Sequence, residues 1–168
     1  HLSFGIEKGE IVGFLGPNGA GKSTTMNIVT GYISATEGSV SVGGKDVLEE
    51  PMEVKRQIGY LPEQPPLYLE MTVGEYLDFV ANIKKVPRKG RKDALGGIMD
   101  IVKILDHKDR LIKNLSTGYR QRVGIAQAIV GNQEILVLDE PTIGLDPKQI
   151  IEIRNLIKQL GQAKTLIL

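Results

Sequence analysis

The sequence predicts an α/β fold in which a parallel sheet is interrupted by a long helical segment. Residues 10–15 are typical of a strand, and they run directly into a glycine-rich loop followed by a helix. Residues 135–138 are apolar at every position, as expected for a central parallel strand that is buried on both faces. From about residue 66 to residue 130, apolar residues recur at helical spacing.

The first third of the chain is predicted to be mainly β. In chain order, the pattern predicts strands at residues 2–6 and 10–15, a helix at 22–30, a hairpin around 39–44 and a strand at 57–61. The first two strands form an N-terminal antiparallel β segment around the turn Lys8-Gly9. Gly31 is placed to end the helix.

Three amphipathic helices are predicted in the middle of the chain. Thr72 and Glu75 have the spacing of a capping box, and the helix that they open ends before Pro87. A second helix, at about 92–105, carries an apolar face of Leu95, Ile98, Ile101, Val102 and Leu105. A third helix runs from Ser116, whose hydroxyl can cap free N–H groups, to Gly131. We therefore expect a helical subdomain at 66–130.

The remainder of the chain returns to α/β order. After the strand at 135–138, Asp146, Pro147 and Gln149 supply an N-cap, a proline at N1 and a capping partner at N3. The helix that follows leads to a strand at residues 164–168, which completes a βαβ unit. Residues 1–65 and 131–168 are thus expected to form one α/β core.

Composition narrows the possible functions. The chain has 168 residues, 41% of them hydrophobic, which suits a single domain with a sizeable core. A formal net charge of +1 argues against general nucleic-acid binding. The absence of cysteine excludes disulfides and thiolate metal sites within the chain. The apolar runs are far shorter than a membrane span needs. Because the chain starts without Met and ends on a predicted strand, both ends are expected to be truncated.

A phosphate-binding loop (P-loop) lies at residues 16–23, which fit G-x-x-x-x-G-K-S between a strand and a helix. Its glycines let backbone N–H groups face an anion, and the helix N-terminus adds its positive end. Lys22 is expected to reach the β- and γ-phosphates, and Ser23 to bind Mg²⁺. The predicted nucleotide-binding residues are Gly16, Pro17, Asn18, Gly19, Ala20, Gly21, Lys22, Ser23 and Thr24.

Two adjacent acids, Asp139 and Glu140, follow the buried strand. A carboxylate at the end of such a strand is costly without a cation, and Mg²⁺ shared with Ser23 is the expected partner of Asp139. Glu140 is placed to orient an attacking water or to accept its proton.

The signature segment, residues 115–122 (Leu-Ser-Thr-Gly-Tyr-Arg-Gln-Arg), resembles the signature of ABC (ATP-binding cassette) ATPases. The order P-loop, signature, Asp139-Glu140 and a D-loop-like Gly-Leu-Asp-Pro at residues 144–147 matches that family over nearly the whole chain. The resemblance implies ATP and Mg²⁺ as ligands and two cassettes that close head to tail. Ser116 and Gly118 are then expected to bind the γ-phosphate held by the P-loop of the other subunit.

One position departs from the family pattern. A Gln usually ends the strand that is predicted here at 57–61, but this chain has Glu63 by position, with Gln64 next to it. Either residue is a candidate to approach Mg²⁺ or the attacking water. Leu-Pro-Glu sequences of this kind resemble the subgroup that serves ABC-2 type exporters, which implies integral membrane permease subunits as partners and a peripheral position on the cytoplasmic face of the membrane.

Other segments have competing interpretations. The switch His and the adenine-stacking aromatic of the family are expected to lie outside the chain, and His107 is interpreted as a solvated surface residue. Residues 84–92 contain six positive side chains in nine and fit either a solvated loop or a surface that faces anionic lipid. Leu67 and Tyr68 fit either contact with a permease or packing between subdomains.

The leading functional prediction is an ATP-hydrolysing subunit that powers an ABC exporter through ATP-driven dimerisation. Two alternatives are a soluble ABC-type ATPase that acts on ribosomes or DNA, and a module that binds nucleotide only to dimerise. Soluble members usually carry tandem cassettes or long coiled-coil insertions, and this chain contains neither.

Overall fold

The computed structural model describes residues 2–17 and 19–168, so the P-loop residue Asn18 lies outside the described residues. The strands are β1 (Ile11–Val12), β2 (Ser41–Val42), β3 (Lys45–Asp46), β4 (Ile58–Leu61), β5 (Ile135–Leu138) and β6 (Thr165–Ile167). The helices are α1 (Lys22–Val29), α2 (Pro51–Gln57), α3 (Val73–Ile83), α4 (Arg91–Ile101), α5 (Thr117–Ile129) and α6 (Pro147–Gly161).

Four strands form a parallel sheet in the order β1-β6-β5-β4, and β2 and β3 form a separate antiparallel hairpin. In the sheet, Leu136 pairs with both Gly59 and Leu166. Because the strands are parallel, the carboxyl ends of β1, β4 and β5 share one edge of the sheet. The α/β fold class is confirmed, and the segments that follow these three strands are brought to the same side of the molecule.

The two faces of β5 are buried in different hydrophobic clusters. Leu136 and Leu138 pack on one face with residues of α3, α5 and α6, whereas Val137 packs on the other with Met26 and Val54. These three side chains are fully buried. The alternation follows from the strand period of two, and it confirms the prediction that this strand is covered on both faces.

Gly59 allows α5 to lie directly on β4. A Cβ atom at this position would come within 2.1 Å of the Ala128 carbonyl oxygen and 2.7 Å of the Leu136 side chain. Only a residue without a side chain permits this approach. The helix that begins with the signature segment is therefore held against the central sheet at its C-terminal end.

Several element predictions are confirmed by the structure. The Thr72–Glu75 capping box forms in both directions: the Glu75 N–H donates to Thr72 Oγ1 (3.3 Å) and the Thr72 N–H to Glu75 Oε2 (2.8 Å). The hairpin forms around the turn Gly43-Gly44. The strands β5 and β6 are parallel with α6 between them, as expected for a βαβ unit.

Other element predictions were wrong. Residues 2–6 form no strand, because no described segment pairs with them and their side chains are largely exposed. Helix α2 was missed, although Pro51 at its start and basic residues in its last turn are helix signals. Helix α4 ends at Ile101 rather than at residue 105, and Ile101 and Leu105 are 41% and 43% exposed. Within the described residues, no helix combines the length and apolarity that crossing a membrane requires.

Candidate functional site

The P-loop leaves the carboxyl end of β1 and leads into α1. Gly19 and Gly21 both have left-handed backbone conformations, with φ of 82° and 91°. Gly21 is the N-cap of α1, which has neither a side-chain cap nor an acidic residue in its first turn. Pro17, Ala20 and other loop residues are exposed. The first N–H groups of α1 therefore face solvent at the positive end of a helix, an arrangement that suits an anion.

Lys22 folds back over the P-loop. Its Nζ donates to the carbonyl oxygens of Gly16 (2.8 Å) and Pro17 (3.2 Å). Ser23 is half-buried and Thr24 is exposed, both in the first turn of α1. The loop thus combines a cation, hydroxyl groups and open backbone donors in one short segment, which is the donor set that polyphosphate requires.

Asp139 follows β5 and is only 4% exposed. Its backbone N–H donates to the Leu61 carbonyl oxygen (2.8 Å), which extends the β4–β5 pairing by one residue. No ion pair among the described residues includes Asp139. Burial, and then the negative charge of Asp139, raise the pKa of Tyr60 to about 12. A buried carboxylate without a cation partner is costly, so this position fits a metal ion.

The Ser23 hydroxyl and the Asp139 carboxylate offer oxygen atoms, the kind of ligand that Mg²⁺ is expected to take. Mg²⁺ prefers carboxylate and phosphate oxygens and retains several waters. The described residues contain no group of three or more His, Asp or Glu side chains that could hold a metal alone. Strand β6 separates β1 from β5, so the P-loop and Asp139 leave the sheet about 10 Å apart, a gap that a nucleotide phosphate and its metal can span.

Glu140 is exposed beside Asp139 and has an unusual backbone conformation. Its φ is 47°, in the left-handed region that non-glycine residues seldom adopt. The Ile143 N–H donates to the Glu140 carbonyl oxygen (3.1 Å), which closes a turn directly after β5. Such backbone strain concentrates at functional sites, because the surrounding structure must hold the residue in place.

Glu63 and Gln64 lie at the same sheet edge, immediately after β4 and beside Asp139. Both side chains are exposed. Because the Asp139 N–H bonds to Leu61, two residues before Glu63, the two segments leave the sheet side by side. The segment that carries both candidates thus runs beside the one that carries Asp139, and their roles at the metal stay a prediction.

The signature segment forms the start of α5. Ser116 is exposed, and its Oγ accepts a hydrogen bond from the Tyr119 N–H (3.5 Å). Gly118 is buried: a Cβ atom there would lie 2.6 Å from the Gln149 side chain, in the first turn of α6. Gln149 therefore covers the signature glycine, while its own N–H donates to Asp146 (2.9 Å).

Two buried polar residues fix the signature segment to its surroundings. Gln121 donates to the Pro141 carbonyl oxygen (3.0 Å), next to Glu140. Arg122 is 7% exposed and donates to the Val102 carbonyl oxygen (3.0 Å) and to the Glu152 carboxylate. These roles were not predicted from the sequence, because the first six residues of α5 (Thr-Gly-Tyr-Arg-Gln-Arg) are largely polar and do not mark these two side chains as buried.

The prediction that His107 is a solvated residue was wrong. Its ring is half-buried and stacks on Tyr119, with centroids 4.2 Å apart and planes at 27°. Its Nδ1 is buried and has no partner within the described residues. The cause is tertiary: the first turn of α5 lies over the 3-10 turn Leu105–His107.

An aromatic groove of about 440 Å³ lies between the sheet and α3. Tyr68 lines it and is 53% exposed, yet it also packs edge-on against Tyr76 (6.0 Å) and Phe79 (5.3 Å). Leu67 packs against the hydrophobic core. Packing between subdomains therefore fits Leu67, which packs inward. Contact with a permease fits Tyr68, which presents an open aromatic surface.

Lys84 forms part of the wall of this groove. Its Nζ donates to three carbonyl oxygens at the end of α5: Gln127 (2.9 Å), Ala128 (3.3 Å) and Val130 (2.9 Å). Burial lowers its pKa to about 8. Arg91, also from the basic stretch, is 9% exposed. The interpretation of residues 84–92 as a solvated loop was therefore wrong for these two side chains, because Lys84 is half-buried against the end of α5 and Arg91 is buried against α3.

Comparisons with known proteins agree with this geometry. Residues 1–143 match the family described as ABC transporter. The chain is 37% identical over 166 residues to the bacitracin transport ATP-binding protein BcrA of Bacillus licheniformis, and the match covers 99% of this chain and 53% of that protein. The chain thus spans about half the length of this relative.

Two solved structures are similar throughout the chain. One is a dimeric ATP-binding cassette in a post-hydrolysis state with ADP and Pi bound, with a TM-score of 0.88 and 28% identity, covering 98% of this chain and 75% of that one. The other is cbiO1 of Clostridium perfringens, described as part of an ABC transporter complex, with a TM-score of 0.85 and 30% identity, covering 99% and 69%.

Proposed function

The chain belongs to the ABC transporter family, and on that premise we propose that it binds and hydrolyses ATP to drive an exporter. The observation that carries the proposal is the shared sheet edge, where the open P-loop, the buried Asp139 and the strained Glu140 converge. The relative that functions in bacitracin transport supports an exporter. The soluble and binding-only alternatives are not favoured by these relatives.

ATP is the proposed substrate, with Mg²⁺ as the metal. The P-loop N–H groups and Lys22 would bind the phosphates, with Ser23 and Asp139 as metal ligands and Glu63 or Gln64 nearby. Mg²⁺ would neutralise charge on the phosphate oxygens. Glu140 would orient the attacking water and take its proton, and its place in the turn directly after β5 supports this role.

A second copy of the cassette is proposed to complete the site. Among the described residues, no hydrogen bond joins the signature segment to the P-loop within one chain. Ser116 is exposed at a helix N-terminus and is available to a phosphate held elsewhere. The dimeric cassette with ADP and Pi supports this arrangement. Ser116 would therefore act on nucleotide bound by the partner subunit. Gly118, which the Gln149 side chain covers within one chain, is proposed to join it when the two copies close.

We propose the division into subdomains that the sequence predicts: an α/β core at 1–65 and 131–168, and a helical subdomain at 66–130. All regular elements between β4 and β5 in the described residues are helices, which supports the division. The aromatic groove lies where the two meet, and we propose that it receives a helical segment of an integral membrane permease subunit. The similarity to a member of a transporter complex supports such a partner, and with it a peripheral position at the cytoplasmic face of the membrane.

The proposal is tested by separating binding from hydrolysis in the protein that contains this chain. Lys22→Ala is expected to abolish ATP binding, because the loop loses its cation. Glu140→Gln is expected to retain ATP binding and ATP-dependent dimerisation while hydrolysis falls about 100-fold or more, the scale of general-base catalysis. The measurements are fluorescent nucleotide titration, size-exclusion chromatography with ATP, and phosphate release.

Matched controls are available on the surface of the chain. Lys89→Ala and Glu37→Gln change exposed residues of the same types and should leave both binding and hydrolysis unchanged. Tight ATP binding by Lys22→Ala would contradict the P-loop assignment. Full hydrolysis by Glu140→Gln would remove Glu140 from the reaction, and hydrolysis by neither the parent protein nor an extended one would favour the binding-only alternative.

A further inference from the structure

A second cavity, of about 780 Å³, lies between α3 and α4. None of the residues proposed to bind or hydrolyse ATP lines it. Its charged lining consists of four basic residues, Arg88, Arg91, Lys92 and Lys108, and two carboxylates, Asp78 and Asp93. This α3–α4 cavity is large enough for a small organic ligand, whose sites usually measure about 300–1,000 Å³.

Arg91 is the buried cation of the α3–α4 cavity. Its Nη1 donates to Asp78 (3.3 Å) and Asn82 (2.6 Å), and its Nη2 donates to the Val86 carbonyl oxygen. Its Nε is buried and has no acceptor within the described residues. Because the Asp78 side chain is 54% exposed, solvent weakens the attraction between the two charges, and the guanidinium leaves a positive field in the cavity wall.

The other three cations add to this field. Among the described residues, no ion pair includes Arg88, Lys92 or Lys108. The stem of Lys108 lies along Gly74, with Cγ 3.1 Å from the position that a Cβ would occupy. Asp93, which lines the same cavity, also forms no ion pair among the described residues, so the lining carries four basic groups against two carboxylates. This balance of charge favours an anion.

Two glycines help to keep the cavity open. Gly96 and Gly97 lie in the middle of α4, line the cavity, and would meet nothing within 4 Å if they carried a Cβ. Glycine is a poor helix former, so two in succession weaken this helix. Any larger side chain on the cavity side would occupy volume that a ligand could use.

We propose that the α3–α4 cavity binds an organic phosphate, whose phosphate group contacts Arg88, Lys92 and Lys108 while a hydroxyl donates to Asp93. Basic side chains make strong, charge-assisted hydrogen bonds to phosphate oxygens. The phosphate belongs either to a soluble ester or to the headgroup of an anionic phospholipid. The inference is independent of the proposed function, because it uses none of the residues of the ATP site.

The test uses the protein with Lys22→Ala, which removes the P-loop lysine as a competing phosphate ligand. Binding of glycerol 3-phosphate is measured by calorimetry, and cosedimentation is measured with vesicles of phosphatidylglycerol or of phosphatidylcholine. Arg88→Gln with Lys92→Gln should weaken binding about tenfold or more, because two charge-assisted hydrogen bonds are lost. Lys89→Gln is the matched control, since Lys89 is exposed in the same stretch and does not line the cavity.

Gly97→Leu tests the cavity without changing its charge. It fills the space from α4, improves the helix propensity, and should abolish binding while the protein stays folded. Calorimetric binding of glycerol 3-phosphate supports a soluble ligand, and binding to phosphatidylglycerol vesicles alone supports a lipid headgroup. The proposal is overturned if neither probe binds, or if binding survives Gly97→Leu.

Discussion

Replacing Lys84 with Met should change how the stability of the protein depends on pH. Lys84 is charged in the unfolded chain up to its ordinary pKa of 10.5, whereas burial lowers the pKa to about 8 in the folded protein. Between these values the unfolded chain binds more protons than the folded one. The free energy of unfolding therefore rises as the pH rises through this window.

The size of the effect follows from the two pKa values. One pKa unit corresponds to about 1.4 kcal/mol, and the Lys84 contribution integrates to about 2 kcal/mol between pH 7 and pH 9.5. Burial also lowers the pKa of Lys164, which adds an effect of the same sign in both proteins and cancels in their difference. Burial raises the pKa of Tyr60 and Tyr76 to about 12, so the series stops at pH 9.5, before tyrosine ionises in the unfolded chain.

The assay is urea denaturation of the parent protein and of Lys84→Met at several pH values from 7 to 9.5. The difference between their unfolding free energies should shift by about 2 kcal/mol in favour of the parent across this range. Lys89→Met, at an exposed position of the same basic stretch, is the matched control variant. A constant difference for Lys84→Met would refute the reasoning, because it would mean that the three α5 carbonyl oxygens hold the ammonium at its ordinary pKa.

Further predictions concern three glycines and one acidic residue. Gly59→Ala should lower the free energy of unfolding, measured by urea denaturation, by about 1–3 kcal/mol, because its Cβ would collide with the Ala128 carbonyl oxygen. Gly96→Ala, whose Cβ would meet nothing, should instead stabilise α4 by about 1 kcal/mol. Equal effects of the two substitutions would contradict the packing of α5 on β4. Gly118→Ala should reduce ATP-dependent dimerisation by forcing the flexible Gln149 side chain aside, and adding Gln149→Ala should restore part of it; no restoration would exclude Gln149 as the obstruction. Glu140→Gly should raise the unfolding free energy by up to about 1 kcal/mol while hydrolysis is lost, because glycine relieves the left-handed conformation; a loss of stability would argue against strain at this position.

Local signals predicted the elements that support the site. The capping box at Thr72, the N-cap at Asp146 and the apolar run of β5 each depend on residues close in sequence, and each forms as expected. The strand predicted at residues 2–6 was wrong because a strand depends on partners that are distant in sequence. Their alternation fits a strand, but a strand exists only where another strand offers hydrogen-bond partners, and no described segment does so here.

The positions of the charged side chains could not be predicted from local pattern. Lys84 and Arg91 stand in a basic stretch that resembles a solvated loop, yet one caps α5 and the other joins α3 to α4. The partners of Lys84 lie 43 to 46 residues away, and Arg91 contacts Asp78 on a different helix, so the tertiary fold determines the burial of both. The Glu140 backbone conformation is likewise a property of the turn after β5, which the adjacent acids alone do not reveal.

Helix α5 connects the two surfaces on which the proposed function depends. Its 13 residues span about 20 Å, from Ser116 at the exposed N-terminus to the carbonyl oxygens that Lys84 caps in the wall of the aromatic groove. Tyr76, which also lines the groove, donates to the Gln127 side chain in the last turn of the same helix. A segment bound in the groove would therefore touch two residues hydrogen-bonded directly to α5. If such binding withdrew Lys84, three carbonyl oxygens would lose their hydrogen-bond donor. This loss would destabilise the C-terminal end of α5, the helix whose N-terminal end presents Ser116.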